Sequence, residues 1–145
     1  MLSGLERRKF IWSLVGAPYA KNAKGPTLFD CWHLVVYVEK TVFDRHAPEI
    51  AVPEHADWRW MIEQFTTHQE LNNWIERVQV TPNMVTAIDG AVVLMARTKQ
   101  PAHCGIWLQE ERGILHADER DGVCFQDLAT LRSNSWSRLR FYEPR

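Results

Sequence analysis

Three side chains in this chain are of types that together perform acyl-transfer chemistry: Cys31, His103 and His116. Cys31 lies in Phe29-Asp30-Cys31-Trp32, where a Gly/Pro-rich loop gives way to an apolar run. His103 follows in Ala102-His103-Cys104-Gly105-Ile106-Trp107-Leu108, and His116 in Gly113-Ile114-Leu115-His116-Ala117. A thiolate attacks a carbonyl carbon, an imidazole takes and returns the proton, and a third polar group orients the imidazole. If the run after Cys31 is a helix, the thiol sits at its N-terminus. There the unpaired N–H groups and the helix dipole favour the thiolate, and the N–H of Cys31 itself supplies half of an oxyanion hole.

The elements that must hold these groups follow from pattern. Cys31 to Phe43 is almost continuously apolar. Val35-Val36-Tyr37-Val38 has strand propensity, but a run of this length favours a buried helix, with Asp30 at its N-cap. The two histidines are 13 residues apart. Pairing residue 103 with residue 116 in an antiparallel hairpin turning at Gln109-Glu110-Glu111-Arg112 puts both on one face, about 5 Å apart at Cβ. A slip of one residue would break that geometry. His33, two residues after Cys31, competes as base but faces away around a helix. His46, His55 and His68 fall in loops or helix breaks and read as solvent-exposed. Cys104 points to the opposite face of the strand from His103. A zinc site of Cys31, His33, His103 and His116 lacks a recognised ligand spacing, and no metal or cofactor is expected.

Elsewhere, residues 5–15 read as a first helix, although Leu5, Phe10, Trp12 and Leu14 give no clean period. Gly16 to Thr27 reads as an ordered loop. Asp57 caps an amphipathic helix with Trp58, Met61, Ile62 and Phe65 on one face. Leu71, Trp74, Ile75 and Val78 repeat the same offsets, which predicts two short helices or one bent helix over 57–79. Strands are expected at 91–95, 102–108, 114–116, 122–125 and 138–142. Helices followed by strands predict an α+β fold in which N-terminal helices, the nucleophile helix among them, pack on an antiparallel sheet.

With 145 residues, 46% hydrophobic and 24% charged, the chain fits one domain over 1–145 carrying a helical insertion at about 45–80. A net charge of −1 gives no nucleic-acid surface. No apolar run is long enough to span a bilayer. The segment from Phe10 to Val15 is too short for a signal peptide, so the chain is expected to start at Met1. Three unclustered cysteines oppose a disulfide framework.

The motifs Gly16-Ala17-Pro18-Tyr19, Phe29-Asp30-Cys31-Trp32-His33-Leu34-Val35, His103-Cys104-Gly105-Ile106-Trp107-Leu108 and Ile114-Leu115-His116-Ala117 occur in that order. Together they resemble the NlpC-type cell-wall peptidases, papain-like cysteine hydrolases. The resemblance implies a papain-like fold, Cys31 as nucleophile, His103 as general base and His116 as orienting residue. It places Tyr19 beside the thiol to bind substrate or oxyanion, and Asp30 at the amino end of the substrate. It implies cleavage of peptidoglycan stem peptides through an acyl-enzyme thioester. Two positions depart from the family pattern: His33 stands where the family has glycine, and Cys104 where it has valine.

Trp32, in place of the commoner serine, resembles the branch found in tail tips of phages and phage-like particles. That implies a virion protein made in the host cytoplasm, acting in the bacterial cell wall. The insertion and the segment from Trp136 to Tyr142 either dock onto tail-hub proteins or complete the domain core. The alternatives to a stem-peptide endopeptidase are a structural tail-assembly protein that keeps the fold without the chemistry, and a related thiol amidase or acyltransferase.

Overall fold

The computed structural model describes residues 1–54, 56–68, 73–79, 84–97 and 103–145. Of the sequence expectations, those resting on His55, Leu71 and Ala102 lie outside these residues. Among the described residues, four helices are α1 (Gly4–Leu14), α2 (Cys31–Phe43), α3 (Trp58–Thr67) and α4 (Leu128–Ser133). The strands among them are β1 (Trp74–Arg77), β2 (Val92–Ala96), β3 (His103–Leu108), β4 (Gly113–Asp118), β5 (Gly122–Gln126) and β6 (Arg138–Pro144). They form one antiparallel sheet in the order β1-β6-β2-β3-β4-β5, the predicted α+β arrangement.

The sheet is covered on both faces. Alternate residues Cys104, Ile106, Leu108, Leu115 and Ala117 face a core built with Leu34, Val35, Val38 and Val42 of α2 and Ile11 and Leu14 of α1. The other set, Val93, Met95, Trp107, Ile114 and Phe141, packs with Leu131 of α4 and with Trp136. By the same alternation His103 and His116 belong to this second face. Because both faces are buried, β2, β3 and β4 read as continuous apolar runs rather than alternating ones.

Helix α2 begins at the nucleophile candidate. Asp30 has extended backbone and its Oδ1 accepts from the His33 N–H at 2.7 Å, an N-cap worth about 1 kcal/mol. The helix ends at Asp44, whose φ of 54° is left-handed. Packing of its apolar face on β3 and β4 overrides the strand propensity of Val35-Val36-Tyr37-Val38. In α1 the core-facing positions are Arg7, Ile11 and Leu14, while Leu5 and Trp12 are exposed. A buried arginine at a core position is why the apolar period was not clean. Arg7, 2% exposed, ion-pairs with Asp89 at 2.6 Å and Glu111 at 2.8 Å. It thereby ties α1 to the loop before β2 and to the β3–β4 turn.

Two expectations are corrected. The helical repeat through Trp74, Ile75 and Val78 is not helical: Trp74–Arg77 is a strand paired with β6, Glu76 facing Tyr142 and Arg77 facing Phe141. Ion pairs from Glu76 to Arg140 and from Arg77 to Glu143, each 2.6 Å, fasten this edge strand. The β3–β4 register is also displaced. Ile106 faces Leu115 and Leu108 faces Gly113, so residue 103 is two places from the expected pairing with 116. A displacement of two preserves the face, and His103 and His116 become diagonal rather than direct neighbours. Trp136, Phe141 and Tyr142 are buried, so these side chains of the C-terminal segment complete the core.

Candidate active site

The loop before α2 is held from both ends. The N–H of Gly16 donates to the Val123 carbonyl and the N–H of Val123 to that of Ala17, each at 2.8 Å, which docks the loop on β5. Gly122, at φ 75°, lies where a Cβ would collide with the Ala17 carbonyl, so the close approach depends on glycine. Tyr19 pairs with Phe29, and the Asp30 N–H donates to the Ala23 carbonyl at 3.0 Å. This places Tyr19 next to the start of α2.

Cys31 is the first residue of α2 and 9% exposed. The first N–H groups of a helix have no intrahelical acceptor. That of His33 is taken by Asp30, and the N–H of Cys31 remains to meet a developing oxyanion. The Cys31 thiol is held well below its usual range. Cys104 hydrogen-bonds to it, His103 adds a hydrogen bond and its charge, and burial and Asp30 oppose them. Cys104, buried on the α2 side of β3, is correspondingly pushed well up by burial and by Cys31, and remains a thiol that donates. Cys31 thus lies at the start of β3, where Cys104 reaches it from the helix side and His103 from the first residue of the strand. The expectation that Cys104 points to the opposite face from His103 holds, yet both side chains reach the same sulfur.

Behind His103 runs a line of ring contacts. His103 Nε2 is 2.9 Å from His116 Nδ1, and His116 Nε2 is 2.8 Å from Gln126 Oε1. Gly105 makes the diagonal approach possible: a Cβ there would lie 2.7 Å from Ile114 Cγ2 and 3.0 Å from His116 Cβ. Trp136 stacks on His103 with ring centroids 5.0 Å apart and planes 18° from parallel. Arg97 lies over the Trp136 ring at 4.1 Å. His116 is pulled down to about 4 by burial and by the charge on His103, so it is neutral at working pH and able to accept. Tyr19 is pushed up to about 12 by burial and by Cys31 and Asp30, so its hydroxyl stays a donor.

The structure therefore brings Cys31, His103 and His116 into one line with Tyr19 beside it. Asp30 borders the same cleft, but its carboxylate is engaged: His33 Nδ1 lies 2.9 and 3.0 Å from its two oxygens. That contact occupies the His33 ring, which is 2% exposed, and removes it from competition as base. Gln126 and Arg97 were not picked out from sequence, and Cys104 and Trp136 were noted there without a place in the site. Their roles depend on strand register and on side chains from distant loops, for which no local pattern exists. The cleft, about 590 Å³, is lined by Tyr19, Cys31, His103, Arg97 and Trp136, with Asp118 to Asp121 on its rim. Among the described residues, no group of three or more His, Cys, Asp or Glu is arranged to hold a metal ion.

The NlpC/P60 family pattern matches residues 16–140, and the chain belongs to that family. The structure is similar to NlpC2 from Trichomonas vaginalis, with a TM-score of 0.61 at 14% identity over 99% of this chain and 48% of that one. It is also similar to the NlpC/p60 domain of the peptidoglycan hydrolase SagA, with a TM-score of 0.54 at 17% identity, covering 99% of this chain and 100% of that one. NlpC1 from Trichomonas vaginalis gives 0.53 at 14% identity, over 99% and 46%. The chain spans about half the length of the two Trichomonas proteins. At these identities the likeness establishes the fold. No curated protein matches the chain.

Proposed function

We propose that this protein is a cysteine endopeptidase acting on the stem peptides of peptidoglycan. The observation that carries the proposal is the line from Cys31 through His103 to His116, with the thiol at a helix N-terminus and at the floor of an open cleft. The Cys31 thiolate adds to the scissile carbonyl carbon, and the oxyanion meets the Cys31 N–H and the Tyr19 hydroxyl. The tetrahedral adduct collapses as protonated His103 gives its proton to the leaving amine, which leaves a thioester on Cys31. Water, deprotonated by His103, then attacks the thioester and releases the acid. Membership of the NlpC/P60 family and the fold shared with a peptidoglycan hydrolase support the substrate class.

We further propose that the protein works at the tail tip of a phage or phage-like particle. Trp32 is the residue that supports this setting. Its indole donates to the Pro48 carbonyl at 2.8 Å, and it lines a small apolar pocket with Ile50, Trp60, Met61 and Phe65, so it ties the start of α2 to the segment that carries α3.

The test is digestion of defined muropeptides, with products identified by mass spectrometry. The parent is expected to release two peptide fragments from a stem, and Cys31→Ala none. Equal digestion by both proteins would sink the proposal, and a product cut at the sugar–peptide amide would instead identify an amidase. For the setting, particles carrying Cys31→Ser are expected to lose infectivity on intact cells. Unchanged infectivity would favour a structural tail protein.

A further inference from the structure

Gln126, on the strand beyond His116, is not in any motif and has no contact with the cleft's reacting atoms. Its Oε1 nevertheless lies 2.8 Å from His116 Nε2. An amide carbonyl oxygen can only accept a hydrogen bond. It therefore fixes the proton of neutral His116 on Nε2 and leaves Nδ1 with a free lone pair. That Nδ1 is 2.9 Å from His103 Nε2, so it accepts the proton His103 carries there. With Nε2 of His103 committed as donor, its Nδ1 remains to exchange a proton with Cys31.

The opposite tautomer reverses every step. With the proton on His116 Nδ1, His116 donates to His103 Nε2. His103 then carries its own proton on Nδ1, pointed at the thiol, and cannot take another. The geometry points to Gln126 as a positioning residue that selects the tautomer of His116 and, through it, the one tautomer of His103 that can act as base.

The inference rests on the thiol chemistry proposed above, but the His116 tautomer and the pH profile of Cys31 alkylation, which decide it, need no substrate. The charged and titratable groups facing His116 are His103 on β3, Cys124 on β5, Asp118 on its own strand, and Arg97 beyond β2. Cys124 Sγ lies 3.5 Å from Nε2, but burial pushes that thiol up to about 11, so it stays neutral and is a weak partner compared with Gln126.

Two variants test this in the full chain. Gln126→Leu removes the acceptor. Imidazole ¹⁵N NMR is expected to show the Nε2–H form of His116 lost. Iodoacetamide alkylation at Cys31, followed by peptide mass mapping, is expected to slow about tenfold or more near neutral pH. On a stem peptide, kcat should fall with KM little changed. Gln126→Glu keeps the acceptor and adds a charge that raises His116 from about 4. Protonated His116 cannot accept from His103, so this variant should match the parent at alkaline pH while its acid limb moves to higher pH. An unchanged His116 tautomer in Gln126→Leu, or an unshifted acid limb in Gln126→Glu, would overturn the inference. The second result decides the matter even if Gln126→Leu does not fold. A parent that fails to digest peptidoglycan, with both shifts present, would instead overturn the substrate proposal and leave this one standing.

Discussion

At the scale of single residues, the chemistry turns on the ionisation of Cys31. Two groups lower it: the Cys104 thiol, which donates from within the core, and His103, which hydrogen-bonds to the sulfur and favours the thiolate electrostatically. The parent is expected to show an alkylation pKa at Cys31 below the free-thiol value of about 8.5. Cys104→Val removes a donor without removing the base and should move that pKa upward; His103→Ala should also move it upward and, unlike Cys104→Val, abolish turnover. An unmoved titration in Cys104→Val would show that its thiol has no bearing on Cys31. Cys31, His103 and His116 were legible in sequence because each stands in a short motif of recognisable type. Gln126 was not, and Cys104 was legible only as a departure from the family pattern, since what matters about both is a contact across the fold. His33 was legible only as an anomaly. The structure explains how it is accommodated: its ring folds onto the Asp30 carboxylate at 2.9 Å, a pairing that a glycine at this position would leave open.

At the scale of elements, the hairpin of β3 and β4 positions the base and its orienter, and Gly105 is its tightest point. A methyl group there meets the Leu115 carbonyl at 2.9 Å as well as the side chains of Ile114 and His116. Gly105→Ala is expected to cost about 1–3 kcal/mol of stability in a denaturant titration. It should also depress turnover beyond what the folded fraction explains, because His116 must shift. A variant as stable and as active as the parent would contradict the close approach. Element types were readable where local signals agreed: Asp30 before an apolar run gave α2, and Asp57 before Met61 and Phe65 gave α3. They failed at β1, where Trp74, Ile75 and Val78 fit a helical period by chance. There, pairing with β6 and the Glu76–Arg140 and Arg77–Glu143 ion pairs decide the structure. The hairpin register failed for a related reason. Turn length alone did not distinguish two pairings that keep the same face inward.

At the scale of the whole molecule, Glu39 and His116 bend the response of stability to pH in opposite senses. Glu39, fully buried in the last turns of α2, is ion-paired with Arg45 at 3.6 Å, and among the described residues neither carboxylate oxygen has a hydrogen-bond partner. Burial raises it to about 8, against the weaker pull of Arg45. A carboxyl raised in the folded state contributes stability that is complete below its unfolded pKa and is lost as pH rises through the folded value. The protein should therefore weaken from the ordinary carboxylate range up to about pH 8. His116 acts in the opposite sense: it is lowered to about 4, so stability falls as pH drops from its unfolded value through that point. Glu39→Gln should match the parent in acid and exceed it by a few kcal/mol above pH 8, read as denaturation midpoints across pH. Parallel curves for the two proteins would show that Glu39 is not the group responsible.

The central claim is that Cys31 forms an acyl-enzyme with a stem peptide. Intact-protein mass spectrometry after rapid acid quench measures this directly. The account predicts that the parent gains the mass of the acyl fragment, mapped to the peptide containing Cys31, and that Cys31→Ala gains nothing and releases no product. Product release by Cys31→Ala at the parent's rate, or acyl mass mapped to Cys124 instead, would contradict it.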